Sequence, residues 1–331
     1  MRTIREESRH TPGLSTRERA PYNERNHQQE NQAMFASFES GRCQVNGITV
    51  SYRKGGSGQG LLLLHGHPQT HVMWHKIAEP LAEHFTVVAA DLRGYGDSDK
   101  PAGDAEHLAY SKRQMAQDGL ELMRALGFVK FDVLAHDRGA RVAHRMAMDH
   151  PDTVKRLITL DIAPTLAMYE QTNEAFARAY WHWFFLIRPA PFPETLIEAD
   201  PELYLRSVMG TRSAGMAPFT DAAFAEYLRC LALPGTAHGL CEDYRASASV
   251  DLEHDRSDRQ AGRKLSTPLL ALWGADGVVG RCFDPLGEWQ KVATDVQGKA
   301  LPSGHYIAEE VPGLLMDEVL GFLLPSVPGG R

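Results

Sequence analysis

The chain of 331 residues is 43% hydrophobic and 23% charged, with a net charge of −7. That is enough for one large α/β core with a smaller lid; mild acidity without a basic stripe argues against a nucleic-acid partner. Apolar runs such as Leu61 to Leu64 and Leu269 to Trp273 are too short to span a bilayer, so no membrane partner is expected. No leader pattern opens the chain, and a cytoplasmic location is expected.

Residues 1–34 are rich in Arg, Glu, Gln and Asn and lack apolar periodicity, which predicts a disordered extension. Met34 could then begin the functional chain. From Cys43 the pattern alternates. Strands are expected at Ile48 to Tyr52, Leu61 to Leu64, Thr86 to Ala90, Phe131 to Ala135 and Arg156 to Leu160. Helices are expected from Gln69, around Gln114 to Leu126, and from Ala140 to about Met148. Apolar strands alternating with helices predict a mostly parallel, doubly wound α/β sheet. From residue 165 to 262 the strand pattern gives way to aromatic, helix-forming segments punctuated by Pro189, Pro191, Pro193, Pro201, Pro218 and Pro234. These predict a helical cap inserted between a first core segment, 35–164, and a second, 263–331. The second resumes with strands at Pro268 to Trp273 and near Lys299 to Leu301, then a closing helix after Glu309.

The stretch Ala135-His136-Asp137-Arg138-Gly139-Ala140 ends an apolar run and opens a helix-compatible one. Small residues around its centre have the form of a nucleophile elbow, with aspartate where serine would perform acyl transfer. An elbow carboxylate attacks an sp3 carbon and leaves an alkyl ester, which an activated water must cleave. Taken alone, Asp137 could equally be the N-cap of its helix. His305, in Pro302-Ser303-Gly304-His305 after the last strand, stands where a base for that water belongs. Two carboxylates could orient it, Asp161 after Arg156 to Leu160 and Asp276 after Pro268 to Trp273. Asp161 is favoured, because the customary Gly-x-x-Asp spacing from Gly274 falls on Gly277 and leaves Asp276 one residue early.

His65-Gly66-His67-Pro68 follows the first buried strand, with Pro68 suited to a first helical turn. The backbone N–H groups of His67 and Arg138 could form an oxyanion hole. His67, His71 and His75 have helical spacing but no acidic partner in sequence, so no metal is expected there. Ser98 lies outside any Gly-x-Ser-x-Gly, and the four cysteines, Cys43, Cys230, Cys241 and Cys282, form no CxxC pair. Arg138 and Arg141 share a helix face beside Asp137 and are either surface charges or a bidentate grip on a substrate carboxylate. His182, Trp183 and Tyr244 offer donors for an expelled halide.

Together His65-Gly66-x-Pro68-Gln69, Asp91-Leu92-Arg93-Gly94-Tyr95-Gly96, His136-Asp137-Arg138-Gly139-Ala140-Arg141, Leu160-Asp161-Ile162, Tyr180 to Trp183, Asp243-Tyr244-Arg245 and Gly304-His305 resemble the haloacetate (fluoroacetate) dehalogenases of the α/β-hydrolase superfamily. The resemblance runs from about residue 40 to the end. It implies an α/β-hydrolase fold and hydrolysis of a carbon–halide bond without a cofactor. Asp137, His305 and Asp161 would be nucleophile, base and acid; Arg138 and Arg141 would bind the carboxylate of a small haloacid, and His182, Trp183 and Tyr244 the halide. It also implies a homodimer. The chain departs from the family at His67, where phenylalanine is common, and Ser207 to Gly239 matches poorly. Epoxide hydrolysis by the same aspartate, with Tyr180, Tyr204 and Tyr244 as acids, is the alternative.

Overall fold

A computed structural model describes residues 34–324 except Ser213. Apart from Met34, the expected N-terminal extension lies outside the described residues.

Eight strands form one sheet in the order β1-β2-β4-β3-β5-β6-β7-β8. They are β1 (Glu39–Val45), β2 (Ile48–Gly55), β3 (Gly60–Leu64), β4 (Thr86–Ala90), β5 (Phe131–His136), β6 (Val154–Leu160), β7 (Leu269–Gly274) and β8 (Val296–Leu301). β1 and β2 add an antiparallel edge, and the others run parallel. Every residue of β3, β4 and β5 is buried, as expected for strands covered on both faces. β1 was not foreseen. Its outward residues are polar, so it lacks a continuous apolar run and draws its order from pairing with β2.

The helix expected from Gln69 is different in form. His67-Pro68 is a cis peptide, and the chain makes a single 3₁₀ turn, His71–Trp74, before a short helix, Ala78–Ala82. Pro68 therefore does not open a helix. Thr70 does instead, its hydroxyl accepting from Val72 N at 3.3 Å.

Between β6 and β7 the described residues form eight helices, from Thr165–Glu170 to Val250–Gln260. Asn173, Asp200 and Thr220 cap three of them by accepting the N–H of Phe176, Leu203 and Ala223. Pro193 and Pro201 fall in first turns, where a missing N–H costs nothing, so these prolines start helices rather than break them. Among the described residues no helix is long and apolar enough to cross a membrane.

The strand order reverses between β3 and β5, which pair through Leu64 and Ala135 at their carboxyl ends. Ligand crevices of open α/β sheets form at that position. Its close packing depends on Gly139: a Cβ there would stand 2.4 Å from the His65 carbonyl oxygen and 2.5 Å from that of Leu64. Gly139→Ala is therefore expected to lower stability by about 1–3 kcal/mol in urea titration; an unchanged midpoint would contradict this packing.

Candidate active site

β5 delivers His136 in extended conformation, and Asp137 then turns with φ 43° into the helix Asp137–Asp149. A left-handed aspartate at a strand-to-helix junction is strained and presents its side chain above the sheet. Asp137 is the first helical residue rather than the N-cap, which is His136. Its Oδ2 accepts from the backbone N–H of His67 at 3.2 Å. Gly66 makes that approach possible, since a Cβ there would lie 2.6 Å from Asp137 Cβ. Arg138, in the first helical turn, has an N–H with no partner within the helix.

His305 follows β8, and its Nδ1 lies 2.6 Å from Asp161 Oδ2. Asp161 directly follows β6 with φ 50° and takes a second hydrogen bond, from Gly274 N at 3.0 Å. With Nδ1 donating to Asp161, the other ring nitrogen, Nε2, faces Asp137 Oδ2 at 3.8 Å and has no hydrogen-bond partner. Asp276 is exposed, and the Nδ1 it was a candidate for is taken by Asp161. Burial opposes the charge on Asp137, but His305, His136 and Arg141 outweigh it and hold the carboxyl well below its ordinary range. Burial and the charge of Arg212 push His305 down, whereas Asp137 and Asp161 pull harder and leave it raised.

The other expected residues gather around this core. Arg138 lies with Cζ 4.0 Å from the centre of the Tyr244 ring, and Arg141 4.8 Å from that of Trp183. Tyr244 touches Trp183 and His182, with ring centres 6.2 and 5.8 Å apart. His67 stacks on His182 at 5.7 Å and its Nε2 meets the Tyr204 hydroxyl at 3.0 Å. Burial lowers His67 to about 3, so it is a neutral wall of the site. His71 pairs with Asp91 and His75 with the Val72 carbonyl, so the three evenly spaced histidines do not converge. Asp97, Glu226 and Cys230 also lie close together, but the Arg229 guanidinium already binds both carboxylates.

A family model for the alpha/beta hydrolase fold matches residues 60–287. The chain belongs to the α/β-hydrolase family. It is 44% identical over 280 residues to a fluoroacetate dehalogenase of Burkholderia sp., covering 84% of this chain and 91% of that one. It is 37% identical over 291 residues to a soluble epoxide hydrolase of Corynebacterium sp. strain C12, covering 86% and 96%. The crystal structure of a Nostoc sp. PCC 7120 protein ascribed to the α/β hydrolases superposes with a TM-score of 0.86 at 52% identity, covering 88% of this chain and all of that one.

In this α/β hydrolase the two arginines expected to grip a carboxylate are already partly engaged by the protein. Arg138 spends Nε and Nη2 on Asp243, the Asp243 carbonyl and Ser247, leaving Nη1 without a partner. Arg141 spends Nη1 on Thr165 and the Ala163 carbonyl and Nη2 on the Met168 sulfur, leaving Nε. Each guanidinium thus keeps one nitrogen wholly without a protein partner.

Two residues that sequence reasoning passed over are central. Asp243 binds Arg138, Lys112 and the Tyr95 hydroxyl, tying the inserted helix Thr236–Ser247 to the elbow. Its place beside Tyr244 was visible, but nothing in sequence pairs it with Arg138. Arg212, in the segment that matched the family poorly, lies with Cζ 4.4 Å from the centre of the Tyr180 ring.

Burial opposes the charge on Asp243, and Arg138 and Lys112 overcome it, holding the carboxyl below its ordinary range. Its contribution to stability is therefore full above the ordinary carboxylate range and is lost as pH falls through the depressed value. Asp243→Asn strands a fully buried guanidinium and should cost about 3–5 kcal/mol at neutral pH. Denaturant unfolding measures this, and an unchanged midpoint would contradict the pairing.

Proposed function

We propose that this hydrolase dehalogenates a short 2-haloacid such as a haloacetate. The observation that supports this reading above all is a set of enclosed donors with no acceptor. Arg138 Nη1, Arg141 Nε, Trp183 Nε1 and the hydroxyls of Tyr180, Tyr244 and Tyr306 are all buried and unpartnered. Buried polar groups are rarely left unsatisfied, and a set in which every member can donate and two are cationic is completed by an anion. A haloacid brings a carboxylate and creates a halide.

Asp137 attacks the α-carbon in line; the carbon–halogen bond breaks with its electron pair leaving on the halide, and an alkyl ester forms on Asp137. Arg141 and Arg138 hold the substrate carboxylate through their remaining nitrogens, while His182, Trp183 and Tyr244 line the path of the halide. Esterification removes the negative charge that helps raise His305. The imidazole is then left to the lowering effects of burial and Arg212, with Asp161 still holding Nδ1, so Nε2 gives up a proton more readily and stands open to accept one from water. His305 takes a proton from water, which attacks the ester carbonyl carbon. The resulting oxyanion sits between the N–H groups of His67 and Arg138, and collapse releases the hydroxyacid. Water is the only co-reactant this chemistry needs. The helical insertion acts as a cap that keeps it from the nucleophile until the ester is made.

A second reading, epoxide hydrolysis, is favoured by the open hydroxyls of Tyr180 and Tyr244, which could protonate an opening epoxide. Tyr204 is less suited, because its hydroxyl is engaged by His67. The two readings differ in substrate charge. Arg141→Ala should reduce kcat/KM on chloroacetate by about 100-fold or more and affect a neutral epoxide far less. Equal losses on both would overturn the assignment of Arg141.

His305→Gln should release one burst of halide from a haloacetate and then stop with Asp137 esterified, as intact-protein mass would show. Sustained turnover would remove His305 from the mechanism. No halide release by the wild-type enzyme from any haloacetate would overturn the function itself.

A further inference from the structure

Displacement of halide by a carboxylate conserves charge: the negative charge on Asp137 disappears into the ester and reappears on the halide. Any group that balances Asp137 in the resting site is stranded after this step unless the halide comes to it. Three guanidinium groups surround the site. Arg138 is in direct contact with Asp243 and keeps that partner throughout. Neither Arg141 nor Arg212 forms an ion pair with a carboxylate among the described residues.

Arg141 stands beside Arg138 on the elbow helix and serves the substrate carboxylate of a haloacid. Arg212 belongs to the insertion, in the turn after the helix Pro201–Met209, with Nε on the Val208 carbonyl at 3.3 Å. The residue as a whole is only half-buried, yet Nη1 is enclosed and has no partner. Its guanidinium lies against the Tyr180 ring, whose centre is 5.4 Å from His182, 5.9 Å from Trp183 and 6.2 Å from His305. The hydroxyls of Tyr180 and Tyr306, both in the field of this cation, are also unpartnered. Asp137 is the carboxylate whose charge acts on Arg212 most directly.

Resting on the haloacid reading, we propose that Arg212 is a further catalytic residue, the cationic end of the halide site, which receives the negative charge that leaves Asp137. His182, Trp183 and Tyr244 supply neutral donors to the halide, and Arg212, with the Tyr180 hydroxyl beside it, supplies the compensating charge. Without it a buried halide would be held by neutral dipoles alone, and the penalty is greatest for fluoride, whose charge is the most concentrated.

The test uses the full chain and does not depend on turnover. Asp137→Asn removes the same negative charge that ester formation removes. Titration calorimetry with bromide should show saturable binding to Asp137→Asn at least about tenfold tighter than to the wild type, because a repulsive neighbour is gone. Adding Arg212→Gln should abolish that gain, and Arg212→Lys in the same background should restore most of it. Glycolate, whose carboxylate belongs to Arg141, should bind the three variants that share Asp137→Asn about equally and so reports an intact site. Bromide binding unchanged by Arg212→Gln would overturn the proposal. So would a loss of glycolate rather than bromide affinity on Arg212→Lys, which would make Arg212 a carboxylate ligand. If no haloacetate is ever turned over, the functional reading fails, and the bromide titration still decides whether Arg212 builds a halide site.

Discussion

The site is built around a carboxylate that has to stay ionised in a nearly dry environment. Burial alone would favour the protonated form of Asp137 and disable it for the nucleophilic role proposed for it. The chain counters with charge and hydrogen bonding from several directions: the His67 N–H, His305, and the guanidinium of Arg141. These come from the ends of β3, β5 and β8, which the switch in strand order brings to one crevice. In the proposed mechanism the same groups that hold Asp137 charged would act on the ester once that charge is spent.

The insertion takes part in this electrostatic frame. Asp243, from an inserted helix, neutralises Arg138 of the elbow helix and also binds Lys112. Removing Asp243 leaves the buried Arg138 charge without its partner, so the inserted helices and the helix Asp137–Asp149 are coupled by an interaction that is costly to break. Glu309 makes a smaller link. Buried just past His305, it accepts from Gln69 at 2.5 Å and from the Tyr227 hydroxyl of the insertion at 3.0 Å.

Much of the core was legible because its signals are local. Leu61 to Leu64 and Thr86 to Ala90 are buried on both faces, and their composition says so. The elbow was readable from small residues at fixed offsets from Asp137, and His305 from its place after the last strand. Asp161 was preferable to Asp276 on spacing, and its 2.6 Å contact with His305 agrees. What escaped depends on partners far apart in sequence. The separation of 105 positions between Arg138 and Asp243 hides an ion pair that changes what Arg138 can offer a substrate. Arg212 sits in a turn with no periodicity, and its meaning comes only from the Tyr180 ring beneath it. The helix expected from Gln69 failed because Asp91 binds His71 through its backbone N–H and ring Nδ1, holding the segment as a short turn.

The proposed chemistry requires that Asp137 be covalently alkylated and then freed by attack of water on its own carbonyl carbon. A single turnover of a haloacetate in 18O-water, with enzyme in excess, separates this from direct hydrolysis. Because the attacked carbon belongs to Asp137, the label should appear in the peptide containing Asp137, and the first hydroxyacid released should be unlabelled. Label in the first hydroxyacid, with none in that peptide, would mean that water attacks the substrate itself, and the ester mechanism would be contradicted.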